Sequence, residues 1–441
     1  MEAVGSDQRG VHPLERETIK RVIRRLMPLL MLGYFCAYLD RVNVGMAAST
    51  MMQQLGFSST VFGFGAGLFF IGYFVAEIPS NLILDRFGAR RWIARILITW
   101  GVISGLTAFV WNDWSFYAVR LLLGLAEAGF FPGVVLYLTW WFPAYYRTRM
   151  MAMFYSSVVV SNIIGQPISG LLLHMDGMLG LHGWQWLFVI ESLPSIIMSF
   201  VIWQFLTDRP ADAEWLRPDQ RAWLTDRLAS ERAEREAIHK FSLAGAFAEP
   251  RIWLLTIAYV GLNAANYGVL FFLPLIVKGL GVSTNLIGVV SALPFLFALF
   301  VMNIWGWHCD YTGERTWHIA GPCFVIAGGM AACSLIGVGH PVIIMVALIF
   351  SQMGQQCAAV TFWSLPTALL SGTAAAGGIA MINATGSLGG WLGPWMFGLV
   401  KDLSGSDNIA LLFLALTPIA CAAGVIATRH DRRLERIPTR I

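Results

Sequence analysis

Two arginines, Arg41 and Arg120, sit deep inside apolar stretches, out of thirty lysines and arginines in the chain. Each has an acid in the same stretch: Asp40 beside Arg41, and Glu127 two helical turns after Arg120. A charge near a bilayer midplane costs roughly 2.5–3.5 kcal/mol on insertion scales. Four of them in two segments call for a function. A guanidinium fork donates two parallel hydrogen bonds to a carboxylate and stays charged in any site. A carboxylate in a low-dielectric cavity favours its neutral form and can take up a proton near neutral pH. One fixed cation beside one titratable acid is then a coupling device. The ionised acid competes for the cation; the protonated acid leaves it free for an anion. Arg120 and Glu127, seven apart, share a helix face about 10.5 Å apart along the axis, so a bridging water or ligand fits better than a direct pair. The bland alternative is two static pairs, Asp40–Arg41 and Arg120–Glu127, which apolar packing would replace at little loss.

Other polar residues are neutral or read as structural. Glu77 and Glu191 suit helix–helix contacts. The second half offers Asn263, Asn266, Gln352, Gln355, Gln356, Ser364 and Asn383, with no lysine or arginine deep in an apolar stretch. Charge chemistry is therefore concentrated in the first half, and the second half suits neutral groups such as hydroxyls. Tyr38, Tyr73, Trp363, Trp391 and Trp395 could line a cavity, although packing is the commoner role of a membrane aromatic. The six cysteines form no CxxC pair and suit the apolar core. No HxH, HExxH, nucleophile elbow or Walker loop points to an enzyme, a metal site or a cofactor. His174 and His308 lie near span ends with no evident task.

Composition sets the frame for these residues. Of 441 residues, 57% are hydrophobic and 13% charged, against about 25% charged in soluble domains. Mean hydropathy is +0.64. This is the signature of a polytopic membrane protein. The net charge of +4 arises from loops at one face and is no nucleic-acid footprint. Twelve stretches reach the roughly 20 residues that cross a bilayer. The first six run at about 27–51, 59–83, 92–111, 115–142, 148–174 and 184–207. The second six run at about 251–278, 285–307, 317–338, 341–370, 374–400 and 408–428. Basic residues cluster in alternate loops, which places both termini in the cytoplasm. Residues 1–26 read as a cytoplasmic tail, 27–207 as one six-helix bundle and 251–428 as the other. Between them, 208–250 is a linker with a surface helix starting near Pro218, and 429–441 is a second tail. The polar N-terminus is no signal peptide, so the first span is expected to be retained.

An internal repeat links the halves. Asp85, Gly88, Arg90 and Trp92 follow the second span; Asp310, Gly313, Arg315 and Trp317 follow the eighth. Both fit D-x-x-G-x-R-x-W, offset by 225 residues. This loop resembles the signature of the major facilitator superfamily. There it is a latch in which acid and arginine make charge-relay contacts. The resemblance assigns Asp85, Arg86, Gly88, Arg90, Asp310, Gly313 and Arg315 a conformational role. Asn81 and Ala89 depart from the usual pattern.

Three longer passages narrow the likeness. They are Tyr38 to Asn43 (YLDRVN), Phe74 to Trp92, and Arg120 to Gly133 (RLLLGLAEAGFFPG). With Phe362 to Pro366 and Ile382 to Gly386, they resemble the anion:cation symporters, most of all bacterial permeases for tartrate, phthalate and 4-hydroxyphenylacetate. The resemblance implies two pseudo-symmetric six-helix bundles and proton-coupled uptake of an organic anion by alternating access. It implies proton coupling at Asp40 and Glu127, and a substrate carboxylate at Arg41 and Arg120. Tyr38, Tyr73, Trp363, Ser364 and Asn383 match binding positions, and Asn266 is a looser match. The implied partners are a small carboxylate, protons as driving ion and the lipid of a bacterial inner membrane, for a functional monomer with no cofactor. An anion exchanger, a drug exporter or a non-transporting sensor are the competing classes.

Overall fold

The computed structural model describes residues 13–238, 250–336, 339–369 and 373–428. All regular structure among them is helical. The first half holds spans Pro13–Leu55, Ser59–Phe87, Ala89–Leu106, Asp113–Glu127 continued by Phe130–Trp141, Ala144–Leu172, and Gly183–Phe205. The second half holds Pro250–Gly279, Thr284–Thr312, Thr316–Ile336, Pro341–Phe362 continued by Ser364–Leu369, Thr373–Ser387 continued by Gly389–Ser404, and Asp407–Leu414 continued by Leu416–Ala427. Among the described residues eleven helices are long and apolar enough to cross a membrane. The eleventh span completes twelve. It carries seven glycines and breaks after Ser387, which dilutes its hydropathy.

Two expectations need correction. The first helix starts at Pro13, inside the stretch read as tail. Its opening turns bury Thr18, Ile19, Val22 and Leu26, a one-sided spacing that packs the helix end against the linker helix Pro218–Ile238. Arg217, just before that helix, holds both carboxylate oxygens of Glu17 at 3.1 Å. The fourth span is not continuous. It breaks at Ala128 and Gly129, where Gly129 takes φ +90°, a conformation open to glycine. Residues 1–12 and 429–441 lie outside the described residues.

The halves meet most closely at the end opposite the termini. There the carboxylate of Asp402, in the eleventh span, accepts the backbone N–H of Ser59 at 3.1 Å and of Thr60 at 2.6 Å. These are the first N–H groups of the second span, which have no partner in their own helix. His174, ending the fifth span, meets Asn285, starting the eighth, at 2.6 Å. Gly63 of the second span lies so close to the Pro394 carbonyl that a Cβ would overlap it. Small residues permit this backbone contact. This far end of the molecule is shut by helices, not by loops.

The repeated loops differ in detail. In the first, Gly88 takes φ +90° and lies against the carboxylate of Asp208, which accepts the Arg90 backbone N–H at 2.7 Å. Asp85 sits 3.9 Å from Arg209. The contacts seen here therefore come from residues following the sixth span, rather than from an acid–arginine pair inside the motif. Trp92 donates to Ser80 at 2.9 Å. In the second, Gly313 caps the eighth span at φ +63°, and Arg315 reaches Cys309 Sγ at 3.3 Å. Glu314 caps the ninth span, accepting Trp317 and His318 N–H groups at 2.8 and 3.0 Å. These bonds, with the His318 ring, hold its carboxyl below the usual range despite its partial burial. The side chain of Asp310 lies outside the described part.

Gly63→Val should leave each half folded but stop the far end from closing. We expect exchange of bound ligand across a liposome membrane to fall about tenfold or more, the effect of at least ~1.4 kcal/mol on the closing step. Undiminished exchange would contradict the seam.

Candidate functional site

One face of the first span builds the core of the site. Tyr34, Tyr38 and Arg41 recur at helical spacing and line a central cavity between the halves. The cavity holds about 1040 Å³ of space between atoms, part of it open solvent. Arg41 is buried, and its guanidinium carbon lies 4.7 Å from the Tyr38 ring, 5.0 Å from Phe69 and 5.9 Å from Tyr73. Three ring faces stabilise a cation taken out of water. Arg41 Nη1 donates to the Tyr267 hydroxyl at 3.2 Å, which crosses from the first half to the second. Its Nη2 forms an ion pair with Glu127 Oε1. Its Nε is buried with no partner.

Glu127 is the last residue of the helix Asp113–Glu127. A carboxylate there faces the negative pole of the helix and needs a cation. Arg41 supplies it, so the glycine break that follows Glu127 and the pair with Arg41 belong together. The static Asp40–Arg41 pair, the bland alternative, does not form. Neighbours on a helix point about 100° apart. Asp40 turns into the first bundle and accepts three bonds: from Trp100 Nε1 at 2.8 Å, Ser104 Oγ at 2.7 Å and Ser195 Oγ at 2.6 Å. No direct Arg120–Glu127 pair forms either. Arg120 is fully buried behind the wall and donates Nη2 to the Ala66 carbonyl at 3.0 Å. Its Nε and Nη1 have no partner. Arg41 and Arg120 lie over the same ring, Phe69, at 5.0 and 5.4 Å. Two guanidiniums thus lie over one ring, and Arg41 is the one that pairs directly with Glu127.

Of the residues proposed to meet a ligand, Arg41, Tyr38, Tyr73, Asn266, Trp363 and Asn383 line the cavity. Arg120 and Ser364 are not on its wall; Ser364 Oγ donates to the Thr361 carbonyl at 2.6 Å. Asp40 and Glu127 are also off the wall, Glu127 acting on the cavity only through Arg41. Trp391 and Trp395 stack on each other at 4.9 Å and pack on Phe64, outside the lining. Sequence reading missed Tyr34, Tyr155, Tyr259 and Tyr267. The signal for Tyr34 was its place one turn before Tyr38; Tyr267, beside Asn266, carried none. Glu191 accepts from Ser169 at 2.5 Å inside the first bundle, a helix–helix contact. Glu77 makes its contact across the halves, accepting from Asn383 Nδ2 at 2.8 Å.

Comparison with known proteins fits this architecture. A model of the Major Facilitator Superfamily matches residues 30–394. A protein of Agrobacterium vitis named "Putative tartrate transporter" is 48% identical over 402 residues, covering 91% of this chain and 89% of the relative. A "Quinolone resistance transporter" of Acinetobacter baumannii is 39% identical, covering 91% of this chain and 92% of the relative. Among solved structures, an inward-facing, occupied bacterial homologue of the human lysosomal transporter Spinster superposes with a TM-score of 0.76 at 16% identity, covering 98% of this chain and 100% of that one. The last shares the fold alone. Twelve helices in two six-helix bundles, a cavity between them and a family match over most of the length lead to one conclusion: the chain is a multi-pass membrane transporter belonging to the Major Facilitator Superfamily.

Proposed function

We propose that this transporter carries a small organic anion into the cell together with protons. The observation that carries the reading is the buried Arg41–Glu127 pair at the cavity wall. With Glu127 ionised, the pair is closed and Arg41 is held back from a ligand. A proton on Glu127 weakens its hold and frees Arg41 Nη2 for a carboxylate. Substrate and proton then bind together and leave together. Arg120 adds positive potential from behind Phe69 without touching the ligand in this state. Asp40 is a second proton acceptor. Its three neutral donors suit an ionised carboxylate, and its protonation would loosen the first, third and sixth spans against each other. Each change alters helix packing, which is what alternating access needs.

Tartrate in the names of relatives supports a carboxylate as cargo. Phthalate, a hydroxyphenyl acid or a sugar acid fit the same cation. The protein acts as a monomer in a bacterial inner membrane with both termini in the cytoplasm, so the shut far end faces outward. Driving ion apart, it uses no cofactor. The relative named for quinolone resistance favours one rival, a drug exporter. Direction of proton-driven flux separates the two.

Glu127→Gln should abolish proton-driven accumulation while counterflow exchange of labelled anion persists. Full accumulation by that variant in liposomes with an imposed pH gradient would refute the coupling role. Arg41→Lys keeps the charge but loses the planar fork, and anion affinity should fall about tenfold or more. Unchanged affinity in a binding titration would remove Arg41 from the ligand site.

A further inference from the structure

The amides of the second half share a pattern. Asn263 donates Nδ2 to the Gly386 carbonyl at 3.1 Å. Gln355 donates Nε2 to the Leu262 carbonyl at 3.4 Å and leaves Oε1 buried without a partner. Asn383 donates Nδ2 to Glu77 Oε1 at 2.8 Å. All three residues line the cavity. Each spends one N–H on the protein, which fixes the amide's orientation and sets its carbonyl oxygen on the other side of the group. Gln356, next on the same wall, also has a buried Oε1 with no partner. The two glutamine oxygens are covered by protein, so the acceptors left to meet an O–H group of a ligand are the carbonyl oxygens of Asn263 and Asn383.

The three orientations are fixed by different kinds of partner. A backbone carbonyl can only accept, so Asn263 and Gln355 are fixed by the main chain. Asn383 is fixed by a side chain. While Glu77 is ionised its carboxylate is acceptor-only as well, and it holds the Asn383 NH₂ turned outward from the site. Glu77 itself is buried, lies off the cavity wall and belongs to the opposite half.

We propose that Glu77 is a specificity-determining residue: by holding the Asn383 amide, it leaves the Asn383 carbonyl oxygen, with that of Asn263, as acceptors that select hydroxycarboxylates over their deoxy counterparts. This rests on the carboxylate reading of Arg41, and not on proton coupling. Arg41 takes the carboxylate on one side, and these two acceptors take the hydroxyls on the other. Glu77 is a positioning residue that acts through Asn383 and does not touch the ligand.

The test uses acid pairs that differ only in hydroxyls: tartrate with succinate, and glycerate with propionate. Each competes against uptake of labelled tartrate or labelled glycerate in liposomes, and the ratio of half-inhibiting concentrations within a pair is read. This ratio does not depend on how much protein is active. The unaltered transporter should favour the hydroxy acid by about tenfold, the effect of roughly one well-made hydrogen bond network. Glu77→Asp keeps an acceptor-only partner and should retain most of the preference, even where uptake is slower. Glu77→Gln offers an NH₂ of its own, lets the Asn383 amide turn over, and should cut the ratio about fivefold or more. A Glu77→Gln ratio equal to that of the unaltered protein overturns the proposal. So does a Glu77→Asp ratio lower than that of Glu77→Gln, which would mark Glu77 as a packing residue. If the unaltered protein takes up none of these acids, the carboxylate reading itself falls, and the specificity role with it.

Discussion

The guanidinium of Arg41 has to be kept charged, buried and available at once, and much of the structure follows from that demand. A lone buried cation is costly, and a permanently paired one is useless for binding. Arg41 meets the demand with partners that share it. Three aromatic faces hold it, one tyrosine hydroxyl reaches it from the opposite half, and one carboxylate pairs with it. Only the carboxylate can change its charge. Glu127 sits where its own helix ends, at Gly129, so the backbone break and the ion pair serve the same point in the cavity wall. Arg120 lies over the same Phe69 ring as Arg41, at 5.4 Å. On the proposed function, a ligand carboxylate takes the place of Glu127 at Arg41.

The same pair ties chemistry to movement. The Arg41–Tyr267 bond bridges the halves at mid-depth, and the Glu77–Asn383 bond bridges them nearer the termini. At the far end, Asp402 caps the second span and glycine contacts bring backbones together. These contacts differ in kind. The mid-depth ones involve ionisable or cavity-lining groups, which in the proposed mechanism proton and substrate bias. The far-end ones are packing and capping, and set the reference state against which that bias works.

Much of this was legible from the residues. Charge scarcity singled out Arg41, Arg120, Asp40 and Glu127, because a charge in a span is too costly to be incidental. Apolar length and basic loops gave the twelve-span plan. What could not be read was partner choice. Spacing along one helix placed Arg41 beside Asp40, yet pairing is decided across helices, where Arg41 meets Glu127 and Asp40 meets Trp100, Ser104 and Ser195. Seven-residue spacing put Arg120 and Glu127 on one face but could not show Phe69 lying against Arg120. Tyrosines such as Tyr267 look like any packing aromatic until the opposite half is in place. The early start of the first helix was hidden for another reason. Its charged residues read as a tail, while its apolar face is satisfied by the linker helix that sequence order puts two hundred residues away.

The most direct test of anion–proton symport is an internal pH dye in liposomes holding the purified transporter. Tartrate, a sugar acid, phthalate and 4-hydroxyphenylacetate are added in turn, with no imposed gradient. Acidification of the lumen that follows one of these anions, and that is absent from protein-free liposomes, is the predicted result. A steady lumen pH while a labelled anion exchanges freely across the membrane would contradict the account, leaving an anion exchanger in its place.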